Sequence, residues 1–165
     1  VEVHATKNLG QVEVGAFAGM FNNNGWNFNE IGVEAAMNFE KGRVAVSAVT
    51  ADSPNASFFD ETTSVAATGT FNLNDSWSVG ATISRTDFGN FADFNNGEVD
   101  SHGVNVSYRV PDSSLAITLG YRSSETDNAD LDFVGVSLSW SFGEGARGRE
   151  MPGATALIAD AMVIQ

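Results

Sequence analysis

Apolar and polar residues alternate along most of this chain. In DLDFVGVSLSWSF, residues 130–142, Val134, Val136, Leu138, Trp140 and Phe142 share one side, while Phe133, Gly135, Ser137, Ser139 and Ser141 share the other. A period of two describes an extended strand with one apolar face. The pattern recurs in seven earlier runs, so eight strands are expected at about 11–22, 27–40, 43–51, 59–72, 77–86, 98–110, 114–123 and 131–142. In the second, Ile31, Val33, Ala35, Met37 and Phe39 oppose Glu30, Gly32, Glu34, Ala36 and Asn38. In the fifth, Trp77, Val79, Ala81 and Ile83 oppose Ser78, Gly80, Thr82 and Ser84. Residues 1–10 read as an N-terminal lead-in, with a short extra strand as the alternative because VEVHAT also alternates.

The connections alternate too, in length. EKGR (40–43), NLNDS (72–76) and PDSS (111–114) are tight and carry the Gly, Asn, Asp and Pro chemistry of hairpin turns. The connections at 22–26, 51–58, 87–98 and 124–130 are longer. Strict alternation of short and long connections is the plan of an up-and-down barrel, with short turns at one end and long loops at the other.

Whether the apolar face meets a core or lipid decides the rest. A soluble barrel turns its apolar face inward and meets water with a charged sheet. Here the polar face is mostly Gly, Ser, Thr, Ala and Asn, which suit a narrow interior, and the chain has two lysines, Lys7 and Lys41. The titratable residues that interrupt the apolar face, Glu61, Arg85, His102 and Asp132, all stand at loop ends of strands. A charge costs about 2–4 kcal/mol at the bilayer midplane of such a barrel and about 0–1 near the interface. At the opposite ends Phe39, Phe71, Trp77, Tyr108, Trp140 and Phe142 form an expected periplasmic aromatic girdle. A strand of about 11 residues tilted about 40° rises roughly 28 Å, enough for an apolar band of about 25 Å.

The expected fold is therefore all-β: an eight-stranded antiparallel up-and-down transmembrane β-barrel over 11–142, with a C-terminal extension at 143–165. Over that span the chain resembles the small eight-stranded outer-membrane barrels of the OmpA transmembrane-domain and OmpX type. The resemblance lies in strand count, loop alternation and a last strand, VGVSLSWSF, that ends on an aromatic. It implies recognition by the barrel assembly machinery, a place in the bacterial outer membrane, and contact with outer-membrane lipid and lipopolysaccharide. The 23 residues after Phe142 depart from that pattern.

Composition narrows the partners. Twenty-one acidic residues against eight basic ones give a net charge of −13, which argues against nucleic acid. The absence of cysteine excludes disulfides and thiol chemistry. No stretch approaches the roughly 20 apolar residues of a spanning helix, and the start is not signal-like, so a mature product is expected.

By parity, Glu13, Glu34, Glu40, Arg43 and Arg109 point inward toward the turn end, and Glu30 and Arg122 point inward nearer the loops. Buried charges must pair, so a structural Glu–Arg network is expected, with a gated ion path as the alternative. The stretches 51–61, 86–100 and 123–132 are the main acidic loop regions. Asp127, Asp130 and Asp132 are candidate oxygen ligands for Ca²⁺ or Mg²⁺, although DNADLD lacks the Gly and Glu of an EF-hand loop. No other cofactor is expected. Ser101 and His102 are adjacent and point to opposite faces, so they cannot form a dyad directly, and His4 has no metal-ligand partner at useful spacing. No enzymatic activity is expected.

The tail joins a flexible GEGARGREMPG connector to ATALIADAMVIQ. Its Leu157, Ile158, Met162 and Val163 are expected to contact the barrel's own mouth, a neighbouring copy or another envelope protein. The expected function is structural or interactive, through acidic extracellular loops or the tail. A narrow or gated porin and a soluble lipocalin-like ligand-binding barrel are the alternatives.

Overall fold

In the computed structural model, the structure describes residues 2–23, 26–53, 61–89, 97–126 and 130–140. They form one all-β, antiparallel, up-and-down sheet in the order of the sequence. The strands are β1 (Glu2–Leu9), β2 (Val12–Asn23), β3 (Trp26–Phe39), β4 (Gly42–Asp52), β5 (Thr62–Asn72), β6 (Trp77–Phe88), β7 (Gly97–Arg109), β8 (Leu115–Glu125) and β9 (Asp130–Trp140).

The first correction concerns the lead-in. Residues 2–9 are a strand, paired along their whole length with β2 from Glu2↔Gly19 to Leu9↔Val12. The alternation of VEVHATKNL carries the information: Glu2, His4, Thr6 and Asn8 stand opposite the polar side of β2, and Val3, Ala5, Lys7 and Leu9 opposite its apolar side. The sheet therefore has nine strands among the described residues, not eight. Its outer members β1 and β9 are not paired with each other, so it is not closed.

The tight connections form as their residues require. Gly10 occupies φ +82° between β1 and β2, a conformation that suits glycine. Asn74 Oδ1 accepts hydrogen bonds from the backbone N–H groups of Ser76 and Trp77, both at 2.9 Å, closing the β5–β6 turn. Asp112 sits at φ 56° in the β7–β8 turn, a left-handed position that Asp tolerates.

The sheet curls so that its polar face is the covered one. On β3, Glu30, Gly32, Glu34 and Ala36 are buried while Ile31, Val33 and Met37 are exposed. On β5 and β6, Ser64 and Thr86 are buried while Val65 and Ile83 are exposed. This is the reverse of a water-soluble sheet. The distribution changes toward one edge. On β9, Phe133 through Ser139 are exposed on both faces.

Candidate functional site

The concave face is built from hydroxyl pairs and a few charges. Ser64 and Thr86 are direct cross-strand partners with oxygens 2.9 Å apart. Ser101 and Ser124 pair the same way at 2.7 Å, and Ser107 and Thr118 at 2.7 Å. A hydroxyl can donate and accept, so opposed Ser and Thr side chains satisfy one another without charge. Glycines make room for larger partners. A Cβ on Gly32 would lie 2.2 Å from Cζ of Phe17 and 2.7 Å from the Ala48 carbonyl oxygen; one on Gly15 would lie 2.7 Å from a Glu34 oxygen.

The inward charges divide into separate groups. Arg43 donates to Glu13 Oε2 and to Asn38 Oδ1, each at 3.4 Å, with Glu13 buried. Glu34, also buried, meets His4 Nδ1 at 3.2 Å, and the other imidazole nitrogen, Nε2, meets Glu2 at 2.5 Å. The His4 ring stands 5.3 Å from that of Phe17. Glu30 is buried and Arg122 half-buried on the same face.

Two members of the expected network are elsewhere. Glu40 lies in the β3–β4 turn and is exposed, and Arg109 is exposed at the end of β7. Both line a polar cavity of about 770 Å³ at the turn end, with Lys41, Thr70, Asn72 and Asp75. Arg109 makes no ion pair with a described residue. Glu13 already has Arg43 and Glu34 has His4, and the strand end leaves the Arg109 guanidinium in the cavity mouth.

His4 was legible and missed. Glu2 and His4 are two apart on a strand and so share a face; once 1–10 reads as a lead-in, that relation disappears.

The convex face is banded. At the turn end Phe39, Phe71 and Trp77 are exposed, and the Trp77 and Tyr108 rings meet at a tilt of 43° with centroids 4.8 Å apart. Trp140 is on β9, at its turn end. Through the middle runs an uncharged belt that includes Val33, Val46, Ala81, Val104 and Val136. At the loop end the side chains turn polar. Arg85 makes a two-pronged contact with Asp100, its direct cross-strand partner, at 2.7 and 2.5 Å, and reaches Glu98 at 3.0 Å. Tyr121 donates its hydroxyl to Asp132 at 2.7 Å. The sequence placed Arg85 and Asp132 at this rim; their partners needed the register.

Asp132 is engaged by Tyr121, Asp130 is exposed at the start of β9, and Asp127 lies outside the described residues. Among the described residues no three His, Asp or Glu side chains converge on a metal-sized point. Phe142, Leu157, Ile158, Met162 and Val163 also lie outside the described residues. Ser123 stands between His102 and Asp132 in one cross-strand row. A relay for nucleophilic attack needs the imidazole in the middle, so that order does not suit it.

No protein-family profile, curated protein or solved structure matches the chain.

Proposed function

We propose that this chain is a bacterial outer-membrane β-barrel with a structural or interaction role. The apolar belt faces lipid, the hydroxyl-lined face fills the interior, and the acidic loops or the tail make the contacts. The observation that carries this reading is the inverted burial. Val33 and Ile83 are 60% and 62% exposed in mid-strand, while Ser64 and Ser124 are 1% exposed on the opposite side of the sheet. In water such a surface would be a large aggregation-prone patch. In a bilayer it is the lipid face, and the buried hydroxyls lie where interior groups of a narrow barrel lie.

The remaining bands agree with that placement. Aromatic residues suit the interface at the turn end, and the Arg85–Asp100 and Tyr121–Asp132 groups suit the polar headgroup level at the loop end. Outer-membrane lipid and lipopolysaccharide are the partners this surface implies. On this reading the loop acids meet Ca²⁺ or Mg²⁺ in the outer leaflet. An interior occupied by the buried Glu34 and Phe17 side chains favours a plugged barrel over a porin.

Refolding from urea into lipid vesicles tests the reading. A protease-protected form whose gel mobility shifts on heating is expected, with no steady conductance across a planar bilayer. A protein that stays soluble and monomeric without detergent would overturn the membrane placement. Steady single-channel steps would replace the structural role with a porin.

A further inference from the structure

The convex face holds a groove whose shape and charge carry one more inference, which rests on the membrane placement. We propose that this groove binds one phospholipid of the ethanolamine class. An acyl chain lies across β3 to β6, and a phosphate with its primary ammonium is held at the end by Arg85, His102, Asp100 and Glu98.

Register builds the groove. Two neighbouring outward rows cross the sheet from β3 to β7. Val33, Ala48, Val65, Arg85 and Asp100 are successive partners in the row nearer the loops. Ala35, Val46, Ala67, Ile83 and His102 are successive partners in the next. Small and large side chains alternate in each row and are offset between rows, so every alanine faces valine or isoleucine across the strand gap. Ala35, Ala48 and Ala67 are half-buried, while Val33, Val46, Val65 and Ile83 on the same side are exposed. Between the rows, Ser47, Ala66 and Ser84 turn to the concave face and leave backbone as the floor. The result is a cavity of about 750 Å³. Strands about 4.8 Å apart give it a length of about 19 Å. Along both rows the first polar side chain is on β6, at Arg85. A long apolar slot with a charged end matches a lipid chain and its head.

The charges select the head. Arg85 is gripped by Asp100 and reached by Glu98. The other cross-strand partner of Asp100 is Glu125, and that of Glu98 is Asp87. All of these carboxylates are exposed, so one guanidinium stands among a surplus of acids. A purely anionic head is repelled there. A primary ammonium is drawn to the carboxylates and brings three N–H donors, while Arg85 and His102 donate to the phosphate beside it. A choline head carries the same charge and no N–H to give. A divalent cation bridging the acids to an anionic lipid wants several oxygens at one point. Among the described residues no three His, Asp or Glu side chains converge in that way. A second copy fits less well than a lipid. A two-fold axis along the bilayer normal would set one acidic end against the other.

Native mass spectrometry reads the occupant. The protein is refolded into vesicles of dioleoyl phosphatidylethanolamine, phosphatidylcholine and phosphatidylglycerol in equal parts, checked for protease protection, and extracted in mild detergent. One retained lipid per chain is expected. The ethanolamine lipid should exceed the choline lipid about fivefold, as an exposed charge-assisted contact allows. Ala48→Leu with Ala67→Leu fills the groove with apolar atoms, and should abolish retention while the protein stays protected. Ala81→Leu, exposed on the same face outside the groove, should leave retention unchanged. Glu98→Gln with Asp100→Asn should keep a lipid but shift it from the ethanolamine to the glycerol head.

Retention of the three lipids alike, or retention that survives the filled groove, would overturn the site. Displacement of the ethanolamine lipid by lipopolysaccharide with Mg²⁺ would overturn the assignment of the head. A dimer that the filled groove dissolves would give the groove to a second copy instead. Protected protein that carries no lipid sinks this inference alone. Protein that never becomes protected sinks the membrane placement and this inference with it, and that is read first.

Discussion

The middle of the sheet and its β9 edge follow the same alternation and meet different surroundings. On β5 and β6 the hydroxyls of Ser64 and Thr86 are buried against each other, with Val65 and Ile83 outward and exposed. On β9, Ser137 and Ser139 occupy the equivalent inward positions and are exposed, as are Val136 and Leu138 outward. Alternation decides which side a residue faces. It does not decide what covers that side; curvature and closure do. The apolar belt is continuous across both regions, so a bilayer would treat them alike, while the interior treats them differently.

The sharpest test introduces a charge into the belt in both regions. Arg at Ala35 or Ala81 in the middle, or at Val136 on the edge strand, should each cost about 2–4 kcal/mol of bilayer stability. Folding titrations in urea with lipid vesicles measure this. Equal costs at 81 and 136 mean both regions face lipid. A cost at 81 with none at 136 would leave β9 out of the membrane. Cysteines at 35, 81 and 136 should also label with a lipid-phase probe, and those at Gly80 and Ser137 should not.

The second test concerns the interior where it is already covered. Arg43→Ala leaves the buried Glu13 without its guanidinium. Removing one partner of a fully buried pair costs about 3–5 kcal/mol; with Arg43 partly accessible, about 2 kcal/mol is expected. Adding Glu13→Gln should recover much of the loss. Chemical denaturation of the single and double variants checks both statements, and a double variant no better than Arg43→Ala would mean the charge pair is not the cause.

How much of this was legible from the sequence depends on which distance carried the information. Period two, turn residues and alternating loop length are local, and they yielded the antiparallel up-and-down order and strand limits within about three residues, as at 77–86 against the observed Trp77–Phe88. Parity placed Glu13, Glu34 and Arg43 on the covered face. Pairing is not local. That Arg85 meets Asp100, that Ser101 meets Ser124, and that Arg109 meets no carboxylate among the described residues all follow from register and strand ends. Parity cannot tell a residue deep in the interior from one at its mouth, which is why Glu40 and Arg109 were grouped with the buried charges. β1 was missed for another reason: eight residues with Lys7 on the apolar side give a weak strand signal, and pairing with β2 decides the matter.

The third test returns to β1. His4→Ala removes the described partner of the buried Glu34. Leaving a buried acceptor unsatisfied costs about 1–3 kcal/mol. Because His4 itself is exposed, the low end, about 1 kcal/mol, is expected. Chemical denaturation of His4→Ala checks this at the β1 edge, and an unchanged midpoint would mean that His4 does not hold Glu34.

The smallest expected effect is at the mouth. Arg109 is exposed and makes no ion pair with a described residue, so Arg109→Ala should change stability by no more than about 0.5 kcal/mol, as substitutions away from packed or paired sites usually do. It lines the turn-end cavity with Asp75, Glu40 and Lys41, so the field there should become more negative. Denaturation midpoints and bilayer conductance are measured on the same variant. A large loss of stability would show that Arg109 reaches the covered carboxylates after all. Unchanged stability with new conductance would mean that the guanidinium, rather than Phe17 and Glu34 deeper in the interior, blocks the path.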